Sequence, residues 1–320
     1  MFRWNKLGHI FGPQMASGRD WFQEFAQAPA TLEFPGFIRV YFSTRPKADP
    51  LGQYVSHSAY VDLDKIDLSK VRAVSSEPIM ELGSTGDFDQ FGIYPVSVIR
   101  VGDEVRAYYA GWTRCDSVPF NVAIGVASSS DGGQHFTKLF RGPVLSYSLD
   151  EPFVISGPKI RKYGDTWYLW YIAGRKWKLV DSRPEPVYKI RMATSSDGVQ
   201  WVRENRDLIE SKVEVDEAQA SPDVFYANGK YHMFFCYRYS EFYRGRDHGY
   251  RIGYAHSTDL LHWDRDDSRA GIDVSEAGWD SEMISYPHVF SVGKRTYMLY
   301  LGNRVGRDGF GLAELEGILD

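Results

Sequence analysis

Apolar and polar positions alternate along this chain in short runs that come in pairs joined by a turn. VSVIRVGDEVRAYYAG from Val96, KIRKYGDTWYLWYIAG from Lys159, DVFYANGKYHMFFCYR from Asp223 and HVFSVGKRTYMLYLGN from His288 each predict a strand, a tight turn and a second, aromatic strand. The turns carry Gly-Asp, Asn-Gly or Gly-Lys, the residue types that tight hairpins need. A third strand follows in IGVASSSDGGQHF from Ile124, IRMATSSDGVQW from Ile190 and IGYAHSTDLLHW from Ile252, and then a polar turn and a closing aromatic. Each unit opens at a proline, namely Pro29, Pro95, Pro158, Pro222 and Pro287, with spacings of 66, 63, 64 and 65 residues. Three to four antiparallel strands repeated five times predict one all-β domain over 1–320, a five-bladed β-propeller with blades of 60 to 66 residues. The fifth unit ends near Leu315 without a fourth strand, while the strand-like segment Trp4 to Phe11 has no partner of its own. Pairing the two closes the ring through the N-terminal strand and removes an exposed edge. No long apolar pattern of helical period supports a bundle or an α/β sheet.

Composition agrees with a folded domain, since 43% of residues are hydrophobic and 25% charged. Aromatic residues reach 15%, which favours strands and offers flat surfaces for ligands. The net charge is −5 and no Lys/Arg run is placed to neutralise a row of phosphates, so nucleic acid is not an expected partner. Met1 to Pro13 has no apolar export region, and the longest apolar stretch, Trp167 to Ala173, is far short of the roughly 20 residues of a membrane helix. Membrane insertion is not expected. Two cysteines, Cys115 and Cys236, and no Asn-x-Ser/Thr sequon fit a reducing cytoplasm. The histidines show no metal-ligand spacing, and neither a dinucleotide fingerprint nor a Walker loop occurs, so no metal and no cofactor is expected.

Candidate chemistry collects near the repeat prolines. Carboxylates lie just upstream of them: Glu24, Asp89, Glu151, Glu217 with Asp216 beside it, and Glu282 with Asp280 nearby. If the first strand of each blade lines the channel, these acids stand at one mouth, where unequal environments can make one an acid and another a base or nucleophile. Asp89, Glu151, Glu217 and Glu282 are therefore the candidate catalytic residues. Each second strand ends in or near an arginine: Arg45, Arg114, Arg175, Arg238 and Arg304. The connections that follow hold 12 Lys/Arg against 7 Asp/Glu in a negative chain. Guanidinium forks bind carboxylate or phosphate bidentately, which predicts an anionic ligand. Trp112, Trp177, Phe242 and Tyr243 on the same connections are candidate platforms for sugar rings, and His288 is placed to reach the channel. Ser129, Asp131, Gly133 and Phe136 form an S-x-D-x-G-x-x-aromatic turn, whose aspartate is expected to cap backbone N–H groups.

The proline-led strand starts, the YLWY-type second strands and the I-G-x-A-x-S-x-D-G third strands resemble the five-bladed glycoside hydrolases of families 32, 43, 68 and 130. YFSTR (41–45), PEPVYKIRMATSSDG (184–198) and GWDSEMISYPHVF (278–290) are similar to uncharacterised propeller proteins associated with bacterial surface-polysaccharide gene clusters. In families 32 and 43 the resemblance implies an aspartate on blade one, a substrate-orienting aspartate on blade two and a glutamate acid on blade three. Asp89 and Glu151 are then counterparts of the second and third. Blade one departs from the pattern, because FAQAPATL has Gln27 and Pro29 where an aspartate is wanted. The resemblance thus implies an enzyme that cleaves or transfers a glycosidic bond, and the strand-end arginines point to an anionic sugar or sugar phosphate as its substrate. A family 130-like phosphorylase and a non-catalytic glycan-binding propeller remain alternatives.

Overall fold

A computed structural model describes residues 2–16 and 18–319. Strand β1 (Arg3–Phe11) is followed by four sheets in chain order. Blade one holds β2 (Glu24–Glu33), β3 (Phe37–Arg45), β4 (His57–Asp64) and β5 (Val71–Val74). Blade two holds β6 (Gly92–Val101), β7 (Glu104–Thr113), β8 (Asn121–Ser129) and β9 (Thr137–Lys138). Blade three holds β10 (Phe153–Tyr163), β11 (Thr166–Val180), β12 (Arg183–Ser195) and β13 (Val202–Arg203). Blade four holds β14 (Ala218–Ala227), β15 (Lys230–Arg238), β16 (Arg251–Ser257) and β17 (Asp264–Arg265). The last blade combines β18 (Ser285–Val292), β19 (Arg295–Leu301) and β20 (Phe310–Glu316) with β1, in the order β1-β20-β19-β18. The ring is therefore a five-bladed propeller closed by the N-terminal strand, with Trp4 opposite Leu315 and Phe11 opposite Phe310.

The repeat prolines mark one local device. Around each of them the ladder between first and second strand loses register, as between Ser156 and Lys159 or between Ala220 and Asp223. Proline has no N–H to offer a ladder, so it belongs where pairing is interrupted. In four blades the residue before it takes a left-handed conformation, at φ of 53° for Ala28, 61° for Gly157, 51° for Ser221 and 51° for Tyr286. Such bulges bend the strand and re-aim side chains, and they occur preferentially beside functional sites. Here they turn the residues flanking each proline toward the axis.

Packing between blades is aromatic and aliphatic. Phe11, Phe22, Phe42 and Phe310 join the closing sheet to blade one, and Phe2, Trp4, Phe234 and Tyr254 join it to blade four. The Ser-x-Asp turns serve as expected: Asp131 accepts from the backbone N–H of Gln134 and His135, while Phe136 packs on Tyr41 of blade one. Among the described residues no helix is long and apolar enough to cross a membrane.

Candidate functional site

Upstream of the prolines of blades two, three and five, a carboxylate lies inside the blade, captured by a tyrosine from the second strand and a base from the fourth. Asp89 accepts from the Tyr109 hydroxyl at 3.1 Å and pairs with Lys138 of β9 at 2.6 Å. Glu151 accepts from Tyr171 at 2.7 Å and pairs with Arg203 of β13 at 2.8 Å and Arg191 at 3.1 Å. In the closing blade Asp280 takes this role, with Tyr300 at 3.1 Å and Lys6 of β1 at 2.7 Å. Glu217 pairs with Arg265 of β17 at 2.6 Å and accepts from Gln219 and from the backbone N–H of Lys212 and Val213. Burial alone would raise the Glu217 carboxyl, but the bonds from Arg265 and Gln219 hold it below its ordinary value. All four acids are buried and none lines the axial cavity described next, whereas Glu282 is exposed on the rim. The acids thus sit away from the mouth where they were expected. They precede the bulge at the proline, where Tyr94 and Tyr286, directly before their prolines, face the cavity.

What the bulges build is a cavity at the axis of about 860 Å³, counted out to solvent, with walls from all five blades. Its aromatic wall includes Tyr94 and Tyr286, both directly before repeat prolines, whose hydroxyls meet at 2.8 Å. Trp112 lies flat across the start of β6, where Gly92 leaves room: a Cβ there would meet the indole at 1.7 Å. Tyr188 and Tyr243 complete this wall. Its charged members are Arg45, Arg183, Arg238 and Arg244 against Glu185, the one carboxylate among the described lining residues.

Two of the five strand-end arginines reach this cavity. Arg45 lies 4.6 Å from the Phe25 ring, 5.3 Å from Tyr54 and 5.7 Å from Tyr94, and its Nε is buried without a hydrogen-bond partner. No carboxylate comes within 4 Å of it among the described residues. Burial pushes this guanidinium below its ordinary value, although it stays charged. Arg238 is 1% exposed, stacks 3.6 Å over Tyr243 and donates to the Tyr250 hydroxyl and to the carbonyls of Pro186 and Tyr239, again without a carboxylate. The other three are held elsewhere: Arg114 by the Tyr54 carbonyl, Arg175 by Asp207 and the Asp150 carbonyl, Arg304 by Asp308. Trp177 stands behind the wall, edge-on to Phe120. Glu185 is clamped by Arg244 at 2.6 Å, Arg183 at 3.2 Å and the Tyr243 hydroxyl at 2.7 Å.

Near the axis, also on bulge-flanking positions, His288, Lys159 and Asp223 form a buried charged group. Each directly follows a repeat proline. The Thr31 N–H donates to His288 Nε2 at 2.9 Å, which leaves the ring proton on Nδ1, 3.6 Å from Asp223 and 3.3 Å from Lys159 Nζ. Burial lowers Lys159 to about 8 and His288 to about 4. Burial would raise the Asp223 carboxyl, but the charges of Arg161, His288 and Lys159 hold it far below the usual carboxylate range.

No family model matches the chain. It is 37% identical over 315 residues to the uncharacterized protein Rv1502 of Mycobacterium tuberculosis, covering 98% of this chain and 99% of that one. Among solved structures, a glycoside hydrolase superposes with a TM-score of 0.75 at 13% identity over 98% of this chain and 92% of the other. A thermostable family-43 glycoside hydrolase gives 0.65 at 14% identity, over 92% and 88% of the two chains. A structure of the GH130 family, whose glycoside hydrolases target β-1,2 mannosidic linkages, gives 0.69 at 15% identity, over 97% and 93%. The fold is thus that of the five-bladed glycoside hydrolases.

Proposed function

Because the chain belongs to one family with the Mycobacterium tuberculosis protein Rv1502 and has the fold of glycoside hydrolases, we propose that it binds an anionic sugar in the axial cavity and cleaves or transfers its glycosidic bond. The observation that carries this reading is Arg45, a half-buried guanidinium at the cavity wall whose Nε has no hydrogen-bond partner and which meets the Glu24 carboxylate, itself paired with Arg307, only beyond ion-pair distance. A charge without a close partner at the cavity wall is costly to desolvate, and a carboxylate or phosphate on the ligand would supply that partner through charge-assisted bonds. Four arginines against one carboxylate make the whole wall favour an anion, and the tyrosines and Trp112 offer faces for a sugar ring. A setting in surface-polysaccharide metabolism rests on the sequence resemblance alone.

A non-catalytic glycan-binding role is the second reading, favoured by the capture of Asp89, Glu151 and Glu217 inside their blades. Calorimetric titration with uronic acids, sugar phosphates and neutral sugars tests the binding claim. Acidic sugars should bind and Arg45→Ala should weaken them by about 1.5–3 kcal/mol, the worth of hydrogen bonds to a charged group. Equal affinity for neutral and acidic sugars would refute it. Turnover of aryl glycosides of the same acids, with and without inorganic phosphate, separates hydrolase, phosphorylase and binding protein.

A further inference from the structure

Ordinary glycoside hydrolysis uses two carboxyl groups flanking the bond, yet Glu185 is the one carboxylate among the described residues of this cavity. It is paired with a phenol. The Tyr243 hydroxyl, on the connection after β15, donates to Glu185 Oε2 at 2.7 Å, on β12 of the neighbouring blade. That distance is within direct proton-transfer reach. Around the phenol oxygen, Arg244 donates to it at 2.8 Å, and the Arg238 guanidinium lies 3.6 Å from the ring centre. Two cations thus stand where negative charge would grow as the proton leaves, and Glu185 is positioned to take that proton. The pair is also tuned apart. Burial holds the phenol above its ordinary value against the opposing pull of Arg238 and Arg244. Burial would raise Glu185 too, but the bonds from Arg244 and Tyr243 keep it low. At neutral pH the result is a protonated nucleophile beside an ionised base.

We propose that Tyr243 is the nucleophile and Glu185 its base in breaking the glycosidic bond of a carboxylate-bearing sugar whose leaving group departs as an anion, such as phosphate. This rests on the enzymatic reading above. A neutral phenol suits that substrate, since an attacking carboxylate would be repelled by the sugar's own carboxylate, whereas Arg45 attracts it. In the first step the Tyr243 oxygen bonds to the anomeric carbon, the bond to the leaving group breaks, and the phenol proton passes to Glu185. The leaving group keeps the bonding electrons and needs no proton, which fits a cavity without a second carboxylic acid. In the second step a water oxygen bonds to the anomeric carbon, the tyrosyl–carbon bond breaks, Glu185 returns its proton to the phenolate, and the proton of the water goes to solvent.

The test uses the full chain and 4-nitrophenyl glycosides of uronic and ulosonic acids, whose leaving group departs as nitrophenolate. Tyr243→Phe and Glu185→Gln should each lower kcat at least about a thousandfold. For Tyr243→Phe, which removes one hydroxyl, KM and the calorimetric affinity for the free acid should change less than about threefold. A fluorinated acidic sugar with an aryl leaving group should leave a covalent adduct on the peptide containing Tyr243 of the unaltered protein, read by mass spectrometry, a measurement independent of how any variant folds. Turnover retained by Tyr243→Phe, or an adduct on another residue, would overturn the assignment while leaving the enzymatic reading intact. Tight binding of acidic sugars with no turnover by the unaltered protein would overturn both.

Discussion

Replacing Lys6 by methionine should cost about 3 kcal/mol of stability, because this one side chain seals the ring electrostatically. Lys6 Nζ lies 2.7 Å from Asp280 Oδ2 and 2.9 Å from Ser275 Oγ, while the Asp280 side chain is only 3% exposed. Methionine keeps the aliphatic stem but leaves a buried carboxylate whose one remaining side-chain partner among the described residues is the Tyr300 hydroxyl. Removing one partner of a buried ion pair costs roughly 3–5 kcal/mol. The Lys6 side chain is 23% exposed, so water reaches the site and the lower end applies. The same strand carries its own control. Arg3 pairs with Glu316 at 2.6 Å with both side chains in solvent, and Arg3→Met should change stability by less than about 0.5 kcal/mol. Urea unfolding reads both, with the slope checked for constancy between variants, and at this chain length Lys6→Met should lower Tm by about 4–5 °C. Adding Asp280→Asn to Lys6→Met should recover part of the loss, a coupling of about 1–3 kcal/mol in a double-mutant cycle. A Lys6→Met variant no less stable than Arg3→Met would refute the reasoning.

Glu151→Gln should act on stability, losing roughly 3 kcal/mol as Arg191 and Arg203 lose their shared carboxylate, with the affinity of the axial cavity for acidic sugars unchanged. A variant with the parent's melting temperature but no sugar binding would return Glu151 to the site. His288 gives a pH signature: its folded value of about 4 lies below the ordinary 6.5 because of burial, so the unfolded chain binds the extra proton first. Stability should therefore fall as pH drops from 6.5 to 4, by up to roughly 3 kcal/mol, and His288→Gln should flatten that part of the urea-midpoint profile, an unchanged slope counting against the assignment.

The proline spacing made the propeller legible because each proline occupies a bulge that recurs once per blade, and its missing N–H leaves the same mark every time. The acids were harder. Asp89, Glu151 and Glu217 stand six, seven and five residues before their prolines, close enough to seem to share the channel, but they precede the bulge, where Tyr94 and Tyr286 face the cavity. A second spacing carried the correct geometry: a tyrosine follows each acid by 20 residues, as Tyr109 follows Asp89, Tyr171 follows Glu151 and Tyr300 follows Asp280. The base from the fourth strand completes the set, and in the closing blade that base is Lys6 from the far end of the chain. Of the arginines, Arg45 and Arg238 reach the cavity because no acid intercepts them, whereas Arg175 and Arg304 meet Asp207 and Asp308. Which arginine meets an acid depends on loop conformation, which strand-end position alone does not encode. Tyr94 and Tyr286 did carry a signal, the Tyr-Pro pair itself.

The closing sheet also sets a schedule for biosynthesis. Strand β1 leaves the ribosome before the other strands of the ring, and its partner β20 follows after some 300 further residues. At about 5–20 residues per second, β1 waits roughly 15–60 s with its hydrogen-bonding edge unsatisfied. Blades one to four can each collect their four strands as they emerge, but the fifth is complete only when the first and last strands of the ring meet. A nascent chain is thus a four-bladed arc with a dangling strand, and β20 must displace whatever holds that strand in the meantime, whether a chaperone or a neighbouring copy. Joining the two ends through a short linker and opening the ring between blades two and three would shift the vulnerable interval to another pair of strands without altering a single contact of the axial cavity.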